Sequence, residues 1–323
     1  MKVAILGGGS CFSLNLANLL EKKGIEHFGI GRSGRKPPAM WTVDHHYRYH
    51  QAHVVTQLPA VMAILDTEKP DVIVNIAAQG EGAASFAANA PDFFMTNCVA
   101  ISRLVIELKH RDYLKRFIQI GSSEIYGSVD HAARETDPHR PGSPYGISKA
   151  AFDQYLGIMH RVSGFPMNIV LPSNAYCDGQ QLHRIIPKAL LAGMTGRRIP
   201  LQGGGAARKS YMHADDLSKA ILLVAEKAPL GETYNAGPSW PIAIKDVVSR
   251  CAIECGMSLA ELADIAPDRV GQDSQYWLNS QKLRALGWKP GVDLRDGIHR
   301  VAQWVKSNLT ELSSMSDKYE HRK

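Results

Sequence analysis

Residues 117–156 read FIQIGSSEIYGSVDHAARETDPHRPGSPYGISKAAFDQYL, and this stretch decides the reading of the whole chain. Phe117–Ile120 is an apolar run that fits a buried strand. The polar segment Gly121-Ser122-Ser123-Glu124-Ile125-Tyr126-Gly127 follows it, and Arg134–Pro144 is a Pro- and Gly-rich surface excursion. From Tyr145 to about Arg161 the spacing predicts a helix. Tyr145 and Lys149 stand at i and i+4, on one helix face and one turn apart. An ammonium in that place favours the phenolate and draws the phenol down from its usual pKa of about 10. Ser122, at the strand end, can share the proton. Tyr, Lys and Ser together are what a hydride-transferring site needs to move the proton on a carbinol oxygen. Tyr-x-x-x-Lys alone occurs on helices by chance, so the weight lies on the elements around it.

The start of the chain supplies them. Lys2–Leu6 reads as a buried strand, Gly7-Gly8-Gly9-Ser10 as a turn, and Phe12–Lys22 as a helix. A Gly-rich strand-to-helix turn lets backbone N–H groups approach a pyrophosphate at a helix N-terminus. This makes Gly7, Gly9, Ser10, Cys11 and Phe12 candidate cofactor-binding positions. Glu26–Ile30 reads as the second strand and leads into Gly31-Arg32-Ser33, with Arg35 and Lys36 beyond. An acidic residue there would accept from a ribose 2′-hydroxyl; Arg32 and Ser33 suit a 2′-phosphate instead. The reading is NADP, tightly bound, with NAD the alternative. A solvated basic loop is the purely structural account of the same residues.

Ser122, Tyr145 and Lys149 behind an N-terminal Gly-rich turn resemble the extended short-chain dehydrogenases that modify nucleotide sugars, and the resemblance covers nearly the whole chain. The family's turn is Gly-x-x-Gly-x-x-Gly. Only Gly7 fits it; Ser10 and Ser13 occupy the second and third glycine places, where their hydroxyls could bind phosphate. Asn75-Ile-Ala-Ala-Gln79 is similar to the family's Asn-x-Ala-Ala segment under the cofactor, which implies roles for Ala77, Ala78 and Gln79. Asn97 matches an Asn that shapes the active-site helix; a helix-start cap is the bland reading. The family's adenine-binding Asp near His53 is absent. Glu124 and Ser123 follow the 4,6-dehydratases: Glu124 as the base at C5, Ser123 as in the guanosine-linked members. Leu171-Pro-Ser-Asn174-Ala-Tyr176 resembles Arg-Pro-x-Asn-x-Tyr, with Asn174 implied as a diphosphate contact and Leu171 in place of the Arg. His183 and Arg184 are expected to face phosphate or sugar. Arg208 or Lys209 takes the place of a diphosphate-binding Arg. Asp268-Arg269-Val-Gly-Gln-Asp273-Ser-Gln-Tyr276 is similar to the dehydratases' Asp-Arg-x-Gly-x-Asp-x-x-Tyr, which implies that Arg269 contacts diphosphate or ribose.

The rest of the chain bounds the answer. Its 323 residues are 45% hydrophobic, enough for a sizeable core. A net charge of +6 suits an anionic small molecule, and no Lys/Arg block points to nucleic acid. Five Cys without a framework spacing read as reduced thiols of a cytoplasmic protein. No run is long enough to span a membrane. Trp41–His53, with its several His, reads as a segment covering the adenine or the sheet edge, since its spacing matches no closed metal site. Gly80–Ala90 reads as a loop over the substrate, Asn97–Lys109 as a helix, and the charged end after Thr310 as a frayed tail.

The expectation is therefore an α/β protein with a doubly wound parallel sheet of Rossmann type and a smaller C-terminal substrate domain. Residues 1–172, with 214–240 returning to them, form the dinucleotide domain, and 173–323 form most of the other. By resemblance the activity is a nucleotide-sugar 4,6-dehydratase, a lyase, acting through Ser122, Ser123, Glu124, Tyr145 and Lys149. A C4-epimerase or a decarboxylase on the same Ser-Tyr-Lys core is the rival, and a cofactor-binding regulator without turnover is a third reading. By the same resemblance, the apolar helices after Asn97 and Tyr145 would pair between two subunits, which implies a homodimer.

Overall fold

The computed structural model describes residues 1–80, 83–86, 89–268 and 273–321. In chain order the first half contains β1 (Lys2–Leu6), α1 (Cys11–Lys22), β2 (Glu26–Gly31), β3 (Tyr49–Gln51), α2 (Leu58–Glu68), β4 (Val72–Asn75), α3 (Ala90–Phe94), α4 (Ile101–Leu108), β5 (Arg116–Ile120), α5 (Pro144–Ser163) and β6 (Met167–Pro172). The second half contains β7 (Asn174–Tyr176), α6 (Ile185–Met194), β8 (Ile199–Gln202), β9 (Arg208–Lys209), β10 (Tyr211–His213), α7 (Ala214–Lys227), β11 (Thr233–Ala236) and β12 (Ile242–Ala243). It closes with α8 (Ile244–Glu254), α9 (Leu259–Leu262), β13 (Ala263–Ala266), β14 (Gln275–Tyr276), α10 (Gln281–Ala285), α11 (Leu294–Ser307) and α12 (Leu309–Ser313).

Seven strands form one parallel sheet in the order β3-β2-β1-β4-β5-β6-β11. Each central strand is apolar on both faces, as a parallel strand sandwiched between helices must be. Ala4, Leu6, Ile73 and Phe117 pack against Leu65 of α2, Leu104 of α4 and Phe152 of α5. Val3, Ile5, Val74 and Ile118 face the other way, onto Leu14 and Leu20 of α1 and Leu217 and Ile221 of α7. A third core, built from Leu190 of α6, Val247 and Cys251 of α8 and Val301 and Val305 of α11, lies apart from the sheet. Three small sheets, β7-β10, β9 between β12 and β14, and β8-β13, lie in the later part of the chain.

The segment 41–53 covers the sheet edge by joining it: Tyr49–Gln51 pairs with Gly29–Gly31 as a seventh strand. The pairing depends on glycine, because a Cβ on Gly29 would stand 2.1 Å from the Tyr47 hydroxyl and one on Gly31 would stand 2.5 Å from that of Tyr49. No group of three His, Cys, Asp or Glu among the described residues could hold a metal. Nor is any described helix long and apolar enough to cross a membrane.

Two expectations are corrected. The helix placed at Asn97–Lys109 begins earlier, at Ala90, with Pro91 in its first turn, and it is wound as a π-helix over Met95–Ala100. The wider turn leaves Asn97 buried and able to reach two other elements, the kind of placement for which π-turns are used. The end after Thr310 is no frayed tail either. Leu312 is fully buried, and Met315, Asp317, Tyr319 and His321 find partners across the molecule, described below.

Candidate active site

At the carboxyl ends of the sheet strands lies a cavity of about 1310 Å³, lined by residues of both the sheet unit and the later small unit. The Gly-rich turn forms one end. Gly7 has φ +76°, and a Cβ on it would stand 2.7 Å from the Ala77 nitrogen, so only glycine lets the turn lie on the loop after β4. Ser10 caps α1: its Oγ accepts from the Ser13 N–H at 3.1 Å. The Ser13 hydroxyl donates to the Gly7 carbonyl at 2.8 Å, so the 2.7 Å contact between the two hydroxyls uses the proton of Ser10. The serines in the glycine places thus knit the turn together. Ser10 lines the cavity, and the turn also offers backbone N–H groups at a helix N-terminus.

Gly7, Gly9, Ser10 and Phe12 line the cavity. Cys11 does not: it is 1% exposed and packs against Cys177 and Ala214 behind the turn. Arg32, Ser33 and Lys36 line the cavity at the end of β2, next to His53. Arg35 instead lies over the Trp41 ring, 5.8 Å from its centroid. Ala77, Ala78 and Gln79 line the cavity after β4. Asn97 stands behind them. Its Oδ1 accepts from the Gln79 N–H at 2.7 Å, and its Nδ2 donates to the Gln79 carbonyl at 2.9 Å and to Ser148 Oγ at 3.0 Å. It therefore clamps the cofactor loop to α5 without facing the cavity.

The proton-handling group sits at the centre. Ser122 ends β5 and caps the short 3-10 turn Ser123–Tyr126, its Oγ accepting from the Glu124 N–H at 3.2 Å. Ser143 caps α5, accepting from the Gly146 N–H at 3.0 Å, which sets Tyr145 in the first helical turn. Burial pushes the Tyr145 phenol up, and the charge of Glu124 pushes it further; the Ser122 hydroxyl, hydrogen-bonded to it, and the Arg184 guanidinium work the other way. Lys149, one turn further along α5, is buried, and its Nζ donates to the Ile120 carbonyl at 2.6 Å. Burial also pushes the Lys149 ammonium down, partly offset by Asp153. Asp153, one turn further along α5, was not read from the sequence as part of the site. It is 5% exposed, and burial raises it to about 7 against the pull of the Lys149 charge and the Gln119 amide.

On the facing wall, Asn174, His183, Arg184 and Lys209 all line the cavity. The Arg184 guanidinium would stand 3.6 Å from a Cβ on Gly80, and its charge reaches Tyr145. Of the two adjacent cations, Lys209 is the one that faces in. It is buried, donates to the Asp273 carbonyl at 2.9 Å and lies 3.3 Å from the Tyr276 ring centroid. Arg208 does not line the cavity and bonds the Pro241 carbonyl at 2.9 Å, as strand alternation from an inward Lys209 requires. Arg269 lies outside the described residues.

A doubly wound parallel sheet with a Gly-rich turn and a Tyr–Ser–Lys group in one cavity defines a dinucleotide-dependent enzyme. Residues 3–237 match the NAD dependent epimerase/dehydratase family, and the chain belongs to it. A dTDP-glucose 4,6-dehydratase from Streptomyces griseus is 32% identical over 237 residues, 72% of this chain and 71% of that one. The dTDP-D-glucose 4,6-dehydratase of Homo sapiens is 29% identical over 255 residues, 77% of this chain and 72% of the relative. Among solved structures, a dTDP-glucose 4,6-dehydratase from Streptomyces venezuelae with NAD bound superposes with a TM-score of 0.87 at 25% identity, covering 95% of this chain and 98% of that one. A UDP-glucose 4-epimerase from Thermotoga maritima shares the fold, with a TM-score of 0.88 at 21% identity over 96% of this chain and 100% of that one. The cofactor is a nicotinamide dinucleotide. The residues present fit it: a positive-φ glycine, a capped helix N-terminus and a basic strand end border one cavity.

Proposed function

We propose that the chain is a nucleotide-sugar 4,6-dehydratase. The observation that carries this is Glu124: a carboxylate on the turn after β5, in the cavity, close enough to Tyr145 for its charge to raise the phenol. Proton transfer at a carbinol needs only Tyr, Ser and Lys. A carboxylate placed next to that group is what abstraction of a carbon-bound proton beside a ketone requires. When bound, the nicotinamide supplies reversible hydride acceptance. Tyr145, bonded to Ser122, holds and removes the proton of the sugar O4. Lys149, anchored on the Ile120 carbonyl, keeps the group positively biased. Glu124 takes the C5 proton made acidic by the C4 ketone, and the C6 hydroxyl takes up a proton and leaves as water on the side where Ser123 lines the cavity; with hydride returned to C6 and a proton to C5, the product would be a 4-keto-6-deoxy sugar nucleotide and the cofactor would be regenerated. Asn174, Arg184 and Lys209 hold the diphosphate and sugar. The names of the relatives agree with this reading.

We also assign the dinucleotide half to residues 1–172 with 214–240, and a NADP preference to Arg32 and Ser33. Met95, Val99 and Ile106, with Ile147, Ile158 and Val162 of α5, are exposed apolar residues on two adjacent helical stretches; these would pair a homodimer. A sedimentation profile that is monomeric at micromolar concentration removes the dimer.

The decisive experiment offers the purified protein GDP-, UDP-, CDP- and dTDP-hexoses and reads product mass. Loss of one water, abolished by Glu124→Gln, is expected. Isomerisation without mass change, surviving Glu124→Gln, turns the assignment to the epimerase; loss of carbon dioxide from a hexuronate turns it to the decarboxylase.

A further inference from the structure

The segment Met315–His321 runs along the cavity, and Met315 to Glu320 line it. Its burial alternates: Met315, Asp317, Tyr319 and His321 are half-buried, and Ser316, Lys318 and Glu320 are exposed. A period of two marks an extended ribbon laid on a surface. Each inward residue has a partner. Met315 packs on the third core. Asp317 accepts from Arg197 Nη1 at 3.1 Å. The Tyr319 ring meets His183 edge to face, centroids 5.5 Å apart, and its hydroxyl accepts from Gln79 Nε2 at 3.0 Å. His321 Nε2 stands 2.8 Å from Asp92 Oδ2. The ribbon thus crosses from the small unit to the sheet unit.

The hydrogen bonds at its far end fix one another. A carboxylate only accepts, so Asp92 places the proton of a neutral His321 on Nε2 and leaves Nδ1 as an acceptor. Nδ1 faces the Gln79 amide and the Tyr319 hydroxyl, each at 3.2 Å. Gln79 is therefore held from behind through its backbone by Asn97 and in front through its side chain by the ribbon. The ribbon also lies at the reacting end of the cavity. Its His321 ring is 5.9 Å from Phe93, and Phe93 is 6.3 Å from Tyr145. Tyr145 marks where the reacting carbinol must sit, and Tyr319 lines the same cavity with its ring on His183, next to Arg184, whose charge reaches Tyr145; the ribbon therefore borders the hexose end.

We propose that Met315–His321 is the outer wall of the sugar pocket, and that Tyr319 contacts the hexose of a nucleoside-diphosphate hexose. A phenol suits that task, since its ring packs on the C–H face of a sugar and its hydroxyl, whose proton goes to His321, keeps a lone pair to accept from a sugar hydroxyl. The proposal rests on the nucleotide-sugar reading above.

The test is calorimetric binding to the cofactor-loaded protein of dTDP-, UDP-, GDP- and CDP-glucose and of the matching nucleoside diphosphates without sugar. In Tyr319→Ala, and in a chain ending at Ser314, the hexose nucleotide should bind at least about tenfold more weakly. The bare nucleoside diphosphate should bind as before, and the released dinucleotide should be present in unchanged amount. Equal weakening of both ligands, no change in either, or tighter binding of the hexose nucleotide would overturn the wall assignment; the last would make the ribbon an occluding plug. Tyr319→Ala keeps the Met315, Asp317 and His321 anchors, so it decides the matter even where the shortened chain fails to fold. If the unaltered protein binds none of these nucleotides, the nucleotide-sugar reading itself fails; if it binds both kinds and the variants do too, only the wall falls.

Discussion

Two regions meet in the same cavity by different means. The Ser122–Lys149 stretch is assembled locally: a strand end, a 3-10 turn and a helix N-terminus bring Ser122, Glu124 and Tyr145 together within about thirty residues, each turn secured by a serine cap. The Met315–His321 ribbon is assembled at long range. Its partners are Gln79, Asp92, His183 and Arg197, more than one hundred residues away. The first region has a sequence period; the second has only complementary surfaces. The contrast teaches that a site can have a floor written in motifs and a wall that is not.

Breaking the floor should have the largest effect. Tyr145→Phe removes the phenolic proton acceptor and is expected to lower kcat by roughly 10²–10⁴-fold while leaving dinucleotide binding in place, checked by turnover and by the cofactor released on denaturation. Glu124→Gln should lower water loss by a similar factor, roughly 10²–10⁴-fold, yet still allow single-turnover cofactor reduction, seen as a nicotinamide absorbance change. If reduction is lost as well, Glu124 belongs to the Tyr145 step and not to the C5 step.

A smaller effect concerns stability. Asp153 has a folded pKa of about 7 against an ordinary value of 3.8, because burial disfavours its charge. A raised acid adds stability that is full below its unfolded pKa and is lost as pH rises through its folded one. Relative to the native chain, Asp153→Asn should therefore gain stability between about pH 4 and pH 8, by at most about 4 kcal/mol at ~1.4 kcal/mol per pKa unit. Thermal melts across that range check it, and a pH-independent difference would mean that Lys149 holds the carboxylate charged throughout.

Asn97→Ala should cost about 1–3 kcal/mol, since it orphans the buried Gln79 N–H, and should loosen the loop that both regions share. Chemical denaturation measures this. The smallest effect is expected at the basic strand end. Arg32→Ala should weaken NADP about tenfold, with NAD little changed and the difference shrinking at high salt. Equal loss of both dinucleotides would return Arg32 to a solvated basic loop.

Much of the fold was legible beforehand. The apolar strands from Lys2–Leu6 to Met167–Pro172 and the helices between them follow from runs and spacings, because a strand buried on both faces must be apolar throughout. The floor of the site was equally legible, since Tyr145 and Lys149 are neighbours on any helix. The winding around Asn97 was not, because a π-turn is rare and carries no signature in the spacing of apolar residues. The serines of the first turn were legible as departures from glycine, but their bonds to the Gly7 carbonyl and to one another were not.

The sequence by itself determined the layers, the order of the elements and the Ser-Tyr-Lys-Glu group, because these are set by periods of two and 3.6 and by caps a few residues away. Only the tertiary structure decided that Lys209 and not Arg208 faces the cavity, that the Asp153 carboxyl is buried, and that Met315–His321 crosses from one unit to the other. Those outcomes depend on which surfaces meet once the layers have packed, and for the ribbon no local spacing encodes a meeting of His321 with Asp92, 229 positions away.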